Sequence, residues 1–254
     1  MKSKAELLHA LPKVIGHRGA AGHAPENTLA STRKAAGLGV RFVEVDATLT
    51  CDDEIVILHD SDLGRTTSGH GPVLLHRLEE LRKLDAGAWF SKAYREEKIP
   101  TLRELTSLLK ELGVGLNLEI KPTIGWQIPT AEKIAAELAD YWPDELPLLV
   151  SSFIPETLPV IAQRLPHLPL GYLTAAIPPD WQTRMRGYGA SSLHCAWPFV
   201  TEALVQDVQA EGYKLLAYTV NDTEVATRLY GWGVDGLFSD YPDRLLALFP
   251  EQVS

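Results

Sequence analysis

The sequence predicts an α/β fold, a (β/α)8 TIM barrel, and three observations lead to it. Short apolar runs alternate with amphipathic helical patterns along most of the chain, which indicates a parallel sheet covered by helices. Eight barrel strands remain when one run is set aside, and this number favours a closed barrel over an open doubly wound sheet. The length of 254 residues suits one such barrel, although two average domains would also fit it.

Several stretches are predicted to be strands because each is short, apolar, and bounded by turn signals. They cover residues 14–17, 42–49, 55–59, 114–120, 146–153, 168–173, 190–194, 214–220 and 234–239. The third stretch follows the second through the turn TCDDE. We therefore interpret it as a hairpin partner or an extension of the second strand, not as a barrel strand of its own.

The clearest predicted helix covers residues 101–113. Thr101 and Glu104 form a capping box, five leucines line one face, and Gly113 stops the helix. Other helical patterns, most with a cap before them or a glycine behind, cover residues 27–37 or 27–39, 130–141, 155–164, 201–211, 222–232 and 242–249. These patterns lie between the predicted strands, as a barrel requires.

Residues 60–98 do not fit the alternation of strands and helices. They contain turn signals, one short helical pattern at 75–84, and the aromatic pair Trp89 and Phe90. The segment follows the second barrel strand region and precedes the next barrel helix. We expect it to be an insertion, or cap, over one end of a single domain spanning residues 1–254. Loops of this length in compact domains tend to be functional.

The charge pattern and the termini exclude several classes of partner. The chain has 33 acidic and 24 basic residues, a net charge of −9, and no basic cluster, which argues against nucleic acid or an anionic membrane as partner. No signal peptide and no apolar run of membrane-spanning length is evident, so we expect a cytoplasmic protein without membrane insertion. Cys51 and Cys195 lack zinc or redox spacing and are expected to be free thiols. The residues favour no particular oligomeric state.

Polar side chains follow the predicted strands at the points where they end. They are His17, Arg18, Glu44, Asp46, His59, Asp60, Glu119, Lys121, Ser151, Ser152, His194, Tyr218, Asn221 and Asp240. Barrel enzymes build their active sites at this face, from residues that belong to several strands. The sequence therefore predicts an enzyme with its active site at the carboxyl ends of the strands.

Three of these residues form a candidate cation site. Glu44 and Asp46 point the same way from one strand, and Glu119 comes from the strand expected beside it. An isolated Glu-x-Asp is usually solvated, but here it lies within strands built for burial, where unpaired carboxylates are costly. Since the set is all oxygen, a hard ion such as Mg²⁺ or Ca²⁺ suits it better than zinc.

The histidines divide into two groups. His9, His23, His70, His76 and His167 lie in loops or helical patterns, where an ordinary surface or partly buried imidazole is expected. His17 and His59 both end strands, and two such imidazoles can serve as acid and base in one displacement. His194 also ends a strand, and the choice between lining the site and a local hydrogen bond stays open.

The loop after the first strand is rich in glycine. Gly16, Gly19 and Gly22 do not match the dinucleotide fingerprint, and we expect them to allow tight turns beside a ligand. Asn27 is predicted to cap the following helix. The free N–H groups at the start of that helix are then suited to face an anion.

The order of motifs resembles the glycerophosphodiester phosphodiesterase family, especially its cytoplasmic bacterial members. The motifs are GHRG, PENT, VEVDATLT, VILHDSDLGRTT, LDAGAWF, IPTLREL, LNLEIKP, SSF, YTVN and GVDGLFSD. They span residues 14–240. The resemblance implies a (β/α)8 barrel that hydrolyses small-molecule glycerophosphodiesters, such as glycerophosphocholine or glycerophosphoethanolamine, to sn-glycerol 3-phosphate and an alcohol.

The resemblance also implies roles for individual residues. His17 and His59 would be the acid and base, and one divalent cation, Mg²⁺ or Ca²⁺ with Mn²⁺ as a further candidate, would bind Glu44, Asp46 and Glu119. Arg18 and Lys121 would contact the phosphate. Phe153 and Tyr218, together with Trp89 and Phe90, are the candidates for an outer wall around the substrate.

Two departures from the family pattern and three alternatives accompany this prediction. The turn CDDE replaces the usual Asp-Gly, and Tyr218 stands where many members have tryptophan. The alternatives are a lysophospholipid-directed activity, which predicts an exposed apolar rim or basic patch; a Schiff-base lysine at Lys121; and a barrel that only binds phosphodiesters. The attacking group, water or the glycerol 2-hydroxyl, and the division of roles between the histidines stay open.

Overall fold

A computed structural model describes residues 4–249, so residues 1–3 and 250–254 of the predicted domain lie outside the described part. The strands are β1 (Val14–Gly16), β2 (Phe42–Leu49), β3 (Ile55–Ile57), β4 (Gly115–Ile120), β5 (Leu148–Ser152), β6 (Leu170–Thr174), β7 (Ser192–Ala196), β8 (Lys214–Tyr218) and β9 (Gly236–Ser239). All except β3 pair in parallel, and the β1–β2 pairing closes the ring. The predicted (β/α)8 barrel is confirmed.

Helices connect the strands on the outside of the barrel. They are α1 (Lys4–His9), α2 (Leu29–Gly37), α3 (Leu78–Leu81), α4 (Leu102–Leu112), α5 (Gln127–Tyr141), α6 (Thr157–Arg164), α7 (Trp181–Tyr188), α8 (Glu202–Ala210), α9 (Thr223–Gly231) and α10 (Pro242–Leu246). The capping box of α4 and its left-handed stop at Gly113 are as predicted. The sequence did not indicate α1 or α7. None of the described helices combines the length and apolar character needed to cross a membrane.

Two apolar layers hold the barrel together. The larger one packs the helices on the outer faces of the strands. The smaller one fills the interior with Ile15, Phe42, Leu149, Leu216 and Phe238, which come from five different strands. Side chains alternate along a strand, so every second residue points into the barrel. The last inward-pointing residues lie at the carboxyl end of the barrel, and they are polar.

The hairpin between β2 and β3 resolves the first departure from the family pattern. The two strands pair antiparallel, so β3 is the hairpin partner of β2. Asp53 takes the left-handed conformation, with φ of 59°, in the place where a glycine was expected. Aspartate tolerates this conformation better than most residues. The turn closes with a hydrogen bond of 3.0 Å from the Thr50 N–H to the Glu54 carbonyl.

Residues 60–98 have a small apolar cluster of their own. Leu63, Val73, Leu81 and Ala86 are buried together, with support from the end of the hairpin and from Ile99. The helical part of the segment is shorter than predicted, since only α3 and two 3₁₀ turns, Val73–Leu75 and Lys92–Tyr94, are formed.

Candidate active site

His17 lies directly after β1 and is held by a residue from the far end of the chain. Its Nδ1 is 2.7 Å from Asp240 Oδ1, and Asp240 also accepts a hydrogen bond of 2.8 Å from Asn221 Nδ2. Burial alone would raise the pKa of Asp240, but the hydrogen bond and charge of His17 lower it. With Nδ1 fixed, Nε2 is directed toward Glu44, 4.0 Å from Oε2.

His59 follows β3 and has a similar arrangement. Its Nδ1 donates to Asp60 Oδ1 at 2.5 Å, and its Nε2 is 3.1 Å from Lys121 Nζ. Since an ammonium group only donates, Lys121 donates to His59 Nε2, which places the lone pair at Nε2 and the proton at Nδ1. Burial lowers the pKa of His59, and the charges of Arg18 and Lys121 act in the same direction, while Asp46 and Asp60 oppose them.

Glu44, Asp46 and Glu119 form one buried cluster. Asp46 on β2 is in register with Glu119 on β4, and the three carboxylates offer oxygens within 4.8 Å of one another. Burial raises the pKa of Glu119 to about 7 and the pKa of Glu44 well above its usual value, with the neighbouring carboxylates adding to both effects. Glu44 Oε1 is buried and has no hydrogen-bond partner. The donor set therefore fits a hard divalent cation.

Two cations lie against this cluster. Arg18 Nε is 3.3 Å from Asp46 Oδ2, and the Arg18 backbone N–H donates to Glu44 Oε2 at 3.0 Å. Lys121 Nζ is 3.1 Å from Glu119 Oε1. Two positive side chains against three carboxylates leave the cluster short of positive charge, which is consistent with a site for an added cation.

Asn27 supports the cluster instead of capping a helix, so its predicted role is wrong. Its Nδ2 donates to Asp46 Oδ2 at 2.8 Å, and its Oδ1 accepts from the Asp46 backbone N–H at 3.1 Å. Asn27 itself has φ of 58°, which is incompatible with an N-cap. The amide thus fixes one carboxylate of the candidate cation site.

Thr28 caps α2 in its place, and its side chain accepts from the Ser31 N–H. The N–H of Ala30 donates to Glu97 Oε1 at 3.2 Å. The anion at this helix start is therefore a carboxylate from the 60–98 segment, not a ligand.

The glycines of the first loop also serve packing. A Cβ at Gly19, where φ is +87°, would lie 2.4 Å from Ser31 Oγ, and one at Gly22 would lie 2.3 Å from the Tyr241 ring. At these two positions protein atoms fill the space that a side chain would need.

A cavity of about 270 Å³ opens over these groups at the carboxyl ends of the strands. Its lining comprises His17, Arg18, Glu44, His59, Asn117, Glu119, Lys121, Phe153, Leu173, Tyr218, Thr219 and Phe238. Phe153 and Tyr218 pack edge to face at 5.8 Å, and the Tyr218 hydroxyl donates to the Thr174 carbonyl. Trp89 and Phe90 do not line this cavity; they pack against each other.

The open question about His194 has a structural answer. Its side chain is fully buried inside the barrel and does not line the cavity. Nε2 is 2.9 Å from Ser192 Oγ, while Nδ1 has no partner. His194 is thus a core residue.

Asp60 and Asp240 have a more specific place than the sequence indicated. The sequence identified them only as residues at strand ends, although each of them holds the imidazole of a histidine that lines the cavity.

The fold and these groups define a class of protein: a (β/α)8 barrel that gathers two imidazoles, two cations and three carboxylates at the carboxyl ends of its strands. The model of the Glycerophosphoryl diester phosphodiesterase family matches residues 17–244. A glycerophosphodiester phosphodiesterase of Caldanaerobacter subterraneus subsp. tengcongensis is 36% identical over 236 residues, which cover 92% of this chain and 96% of that protein. The chain therefore belongs to this family, as its motifs predicted.

Solved structures agree with this assignment. A phosphodiesterase of Oleispira antarctica, solved in complex with the product sn-glycerol-3-phosphate, has a TM-score of 0.94 and is 42% identical, covering 96% of this chain and 99% of that chain. A glycerophosphodiester phosphodiesterase of Agrobacterium tumefaciens has a TM-score of 0.79 at 25% identity, covering 93% of this chain and 100% of that chain. The predicted enzyme class is confirmed.

Proposed function

We propose that this chain hydrolyses glycerophosphodiesters, such as glycerophosphocholine and glycerophosphoethanolamine, to sn-glycerol 3-phosphate and an alcohol. One observation carries the proposal: two imidazoles, each held at Nδ1 by a carboxylate, border one cavity with two cations and a buried acidic cluster. The product bound in the Oleispira enzyme supports it.

A phosphodiester resists attack because its negative charge repels nucleophiles, so the site must neutralise the phosphoryl oxygens and move a proton on each side. Arg18 and Lys121 supply the fixed positive charge. His17 and His59 supply the proton transfers.

We assign His59 as the base and His17 as the acid. His59 keeps its proton at Nδ1, where it is donated to Asp60, and its lone pair at Nε2, where it would accept a proton in place of the hydrogen bond from Lys121. Both ring nitrogens of His17 face carboxylates, so either nitrogen is placed to donate a hydrogen bond. His59 would deprotonate the attacking hydroxyl, whether water or the glycerol 2-hydroxyl, and His17 would protonate the departing oxygen. Attack by the 2-hydroxyl would give a cyclic phosphate, which a water molecule would then open to glycerol 3-phosphate.

Glu44, Asp46 and Glu119 would hold one divalent cation, with Mg²⁺ or Ca²⁺ preferred and Mn²⁺ a further candidate, since the ligands are all oxygen. When bound, such an ion offsets the charge of the phosphoryl group. Its absence in EDTA should abolish activity.

The remaining expectations concern the surroundings of the site. Phe153 and Tyr218 form an apolar wall, which supports breadth in the alcohol. Residues 60–98 act as a cap within one domain. We also propose a cytoplasmic location, supported by the free thiols Cys51 and Cys195.

A coupled assay for glycerol 3-phosphate tests the activity. The protein is incubated with glycerophosphocholine, glycerophosphoethanolamine and glycerophosphoglycerol, in EDTA and then with added Mg²⁺, Ca²⁺ or Mn²⁺. We expect release only with metal. His70→Gln, an exposed control, should keep full activity, and a wild type inactive with every metal contradicts the proposal.

The roles of the histidines are separated by the leaving group. An ester of glycerol phosphate with 4-nitrophenol needs no proton on the departing oxygen, so His17→Ala should keep much of its activity on it, while His59→Ala loses activity on both kinds of substrate. The reverse pattern would exchange the assignments. Detection of a cyclic phosphate by ³¹P NMR identifies the glycerol hydroxyl as the attacking group.

A second candidate, activity on lysophospholipids, is favoured by one observation. Ile124, Trp126 and Ile128, in and next to the connection from β4 to α5, are exposed at 92%, 41% and 44%. This connection lies at the mouth of the barrel and matches the apolar rim which that alternative predicts. Release of choline from lysophosphatidylcholine micelles, reduced in Ile124→Ser with activity on glycerophosphocholine unchanged, would support it. If the wild type and Ile124→Ser turn over lysophosphatidylcholine equally, and glycerophosphocholine equally, the result contradicts this candidate function.

A further inference from the structure

A chain of charged hydrogen bonds joins the two sides of the cavity through residues that do not line it. Arg65 Nε donates to Asp60 Oδ2 at 2.5 Å, and its two terminal nitrogens donate to both oxygens of Glu26 at 2.8 and 2.7 Å. Glu26 Oε1 also accepts from Arg18 Nη1 at 2.6 Å. The path therefore leads from Asp60, the partner of His59, to the guanidinium of Arg18.

The planar guanidinium of Arg65 is what makes this path continuous. Its Nε donates to Asp60, and its two terminal nitrogens form a bidentate pair with Glu26. The ammonium group of a lysine has a single nitrogen and cannot reproduce this arrangement. The Arg65 hydrogen bond lowers the pKa of Asp60 to about 2. Burial alone would raise the pKa of Glu26, but its bonds to Arg65 and Arg18 lower it. Both carboxylates therefore stay ionised and fixed.

Burial distinguishes this path from ordinary surface ion pairs. The Glu26 side chain is 11% exposed and lies between two guanidinium groups, while Arg65 is 45% exposed. A carboxylate enclosed in this way has few alternative positions. By contrast, Arg33 and Glu111 form a pair of 3.4 Å in which the side chains are 54% and 64% exposed.

We propose that Arg65 and Glu26 are positioning residues, Arg65 for His59 through Asp60 and Glu26 for Arg18, an inference that rests on the proposed function. Arg65 belongs to the 60–98 segment, so this segment contributes directly to the order of the site. Loss of Arg65 should act on the proton transfer and lower kcat. Loss of the Glu26 charge should loosen Arg18 and raise KM.

The test compares Arg65→Gln, Arg65→Ala, Arg65→Lys and Glu26→Gln with the wild type and His59→Ala, on glycerophosphocholine with metal. Arg65→Gln should lower kcat/KM about 10- to 100-fold, mostly in kcat. Arg65→Lys should be nearly as impaired, because lysine restores the positive charge but not the hydrogen bonds to both carboxylates. Millimolar guanidinium should recover part of kcat in Arg65→Ala, which, unlike Arg65→Gln, leaves the position of the side chain vacant and open to solvent.

Arg33→Gln is the matched control and should show neither the loss nor the recovery. If Arg65→Gln has the kcat/KM of the wild type, the inference about Arg65 is overturned and the proposed function is not, provided that the wild type is active and His59→Ala is inactive. A loss in Arg65→Ala that guanidinium leaves unchanged, accompanied by a lower melting temperature, also overturns it, because Arg65 would then be only structural. If Arg65→Gln fails to fold, Arg65→Lys decides alone, and wild-type kcat in that variant overturns the inference. An inactive wild type overturns both proposals.

Discussion

Replacing His194 with leucine should make the barrel more resistant to acid. The pKa of this buried imidazole is lowered to about 3 by burial, against an ordinary value of 6.5. Between these two pH values the unfolded chain binds a proton that the folded chain does not. The free energy of unfolding therefore falls as the pH drops from 6.5 toward 3. Above pH 6.5, His194 no longer contributes to the pH dependence of stability.

The expected size of the effect follows from the two pKa values. At pH 4.5, two pH units below the unfolded pKa, His194 should cost the wild type about 3 kcal/mol relative to pH 7. Leucine has a similar volume and cannot be protonated. Ser192 Oγ keeps the Leu170 carbonyl as an acceptor, at 3.5 Å, when the imidazole is removed.

Urea unfolding followed by circular dichroism at pH 7 and pH 4.5 measures the effect, with free energies obtained by linear extrapolation. His194→Leu should lose about 3 kcal/mol less than the wild type between the two pH values. His70→Leu, at an exposed position, should lose as much as the wild type. If His194→Leu and the wild type lose the same amount, the barrel does not exclude the proton and the reasoning is refuted.

Three further predictions concern the site and the interior. Asp240→Asn removes the negative charge beside His17 and leaves one acceptor oxygen for two donors, His17 and Asn221, so it should lower kcat about 10- to 100-fold; unchanged kcat in steady-state kinetics would contradict the role. Because burial raises the pKa of Glu119 to about 7, Glu119→Gln in EDTA at pH 8 should melt no lower than the wild type, and only the wild type should gain stability from added Mg²⁺ or Ca²⁺. Gly171→Ala would place a Cβ 2.6 Å from the buried imidazole and should cost about 1 to 3 kcal/mol in urea unfolding, whereas Gly187→Ala, with no atom within 4 Å, should cost nothing.

The barrel could be predicted because its strands are buried on both faces. Such strands form nearly continuous apolar runs, and every predicted run overlaps an observed strand. Helix α7 escaped notice because its sequence WQTRMRGY buries only Trp181 and Met185. Two buried residues in eight do not make a recognisable apolar stripe.

The strand-end residues of the site could be located from the sequence for a related reason. Their positions follow from where each parallel strand ends, and that is a local property. The partnership of Arg65 with Glu26, 39 residues apart, depends instead on how two loops pack. Asn27 illustrates the same limit: a residue type suited to an N-cap was used for a contact with Asp46, and no local pattern distinguishes the two.

The closure of the barrel has a consequence for how activity arises during folding. His17 leaves the first strand, while Asp240 follows the last strand, 223 positions later. The pair can form only after β9 has docked between β1 and β8, which is the step that completes the ring. In a nascent chain whose final strand has not yet been synthesised and docked, the imidazole of His17 is therefore not oriented. Onset of turnover during refolding should report ring closure itself, and coincide with the last gain of near-ultraviolet ellipticity.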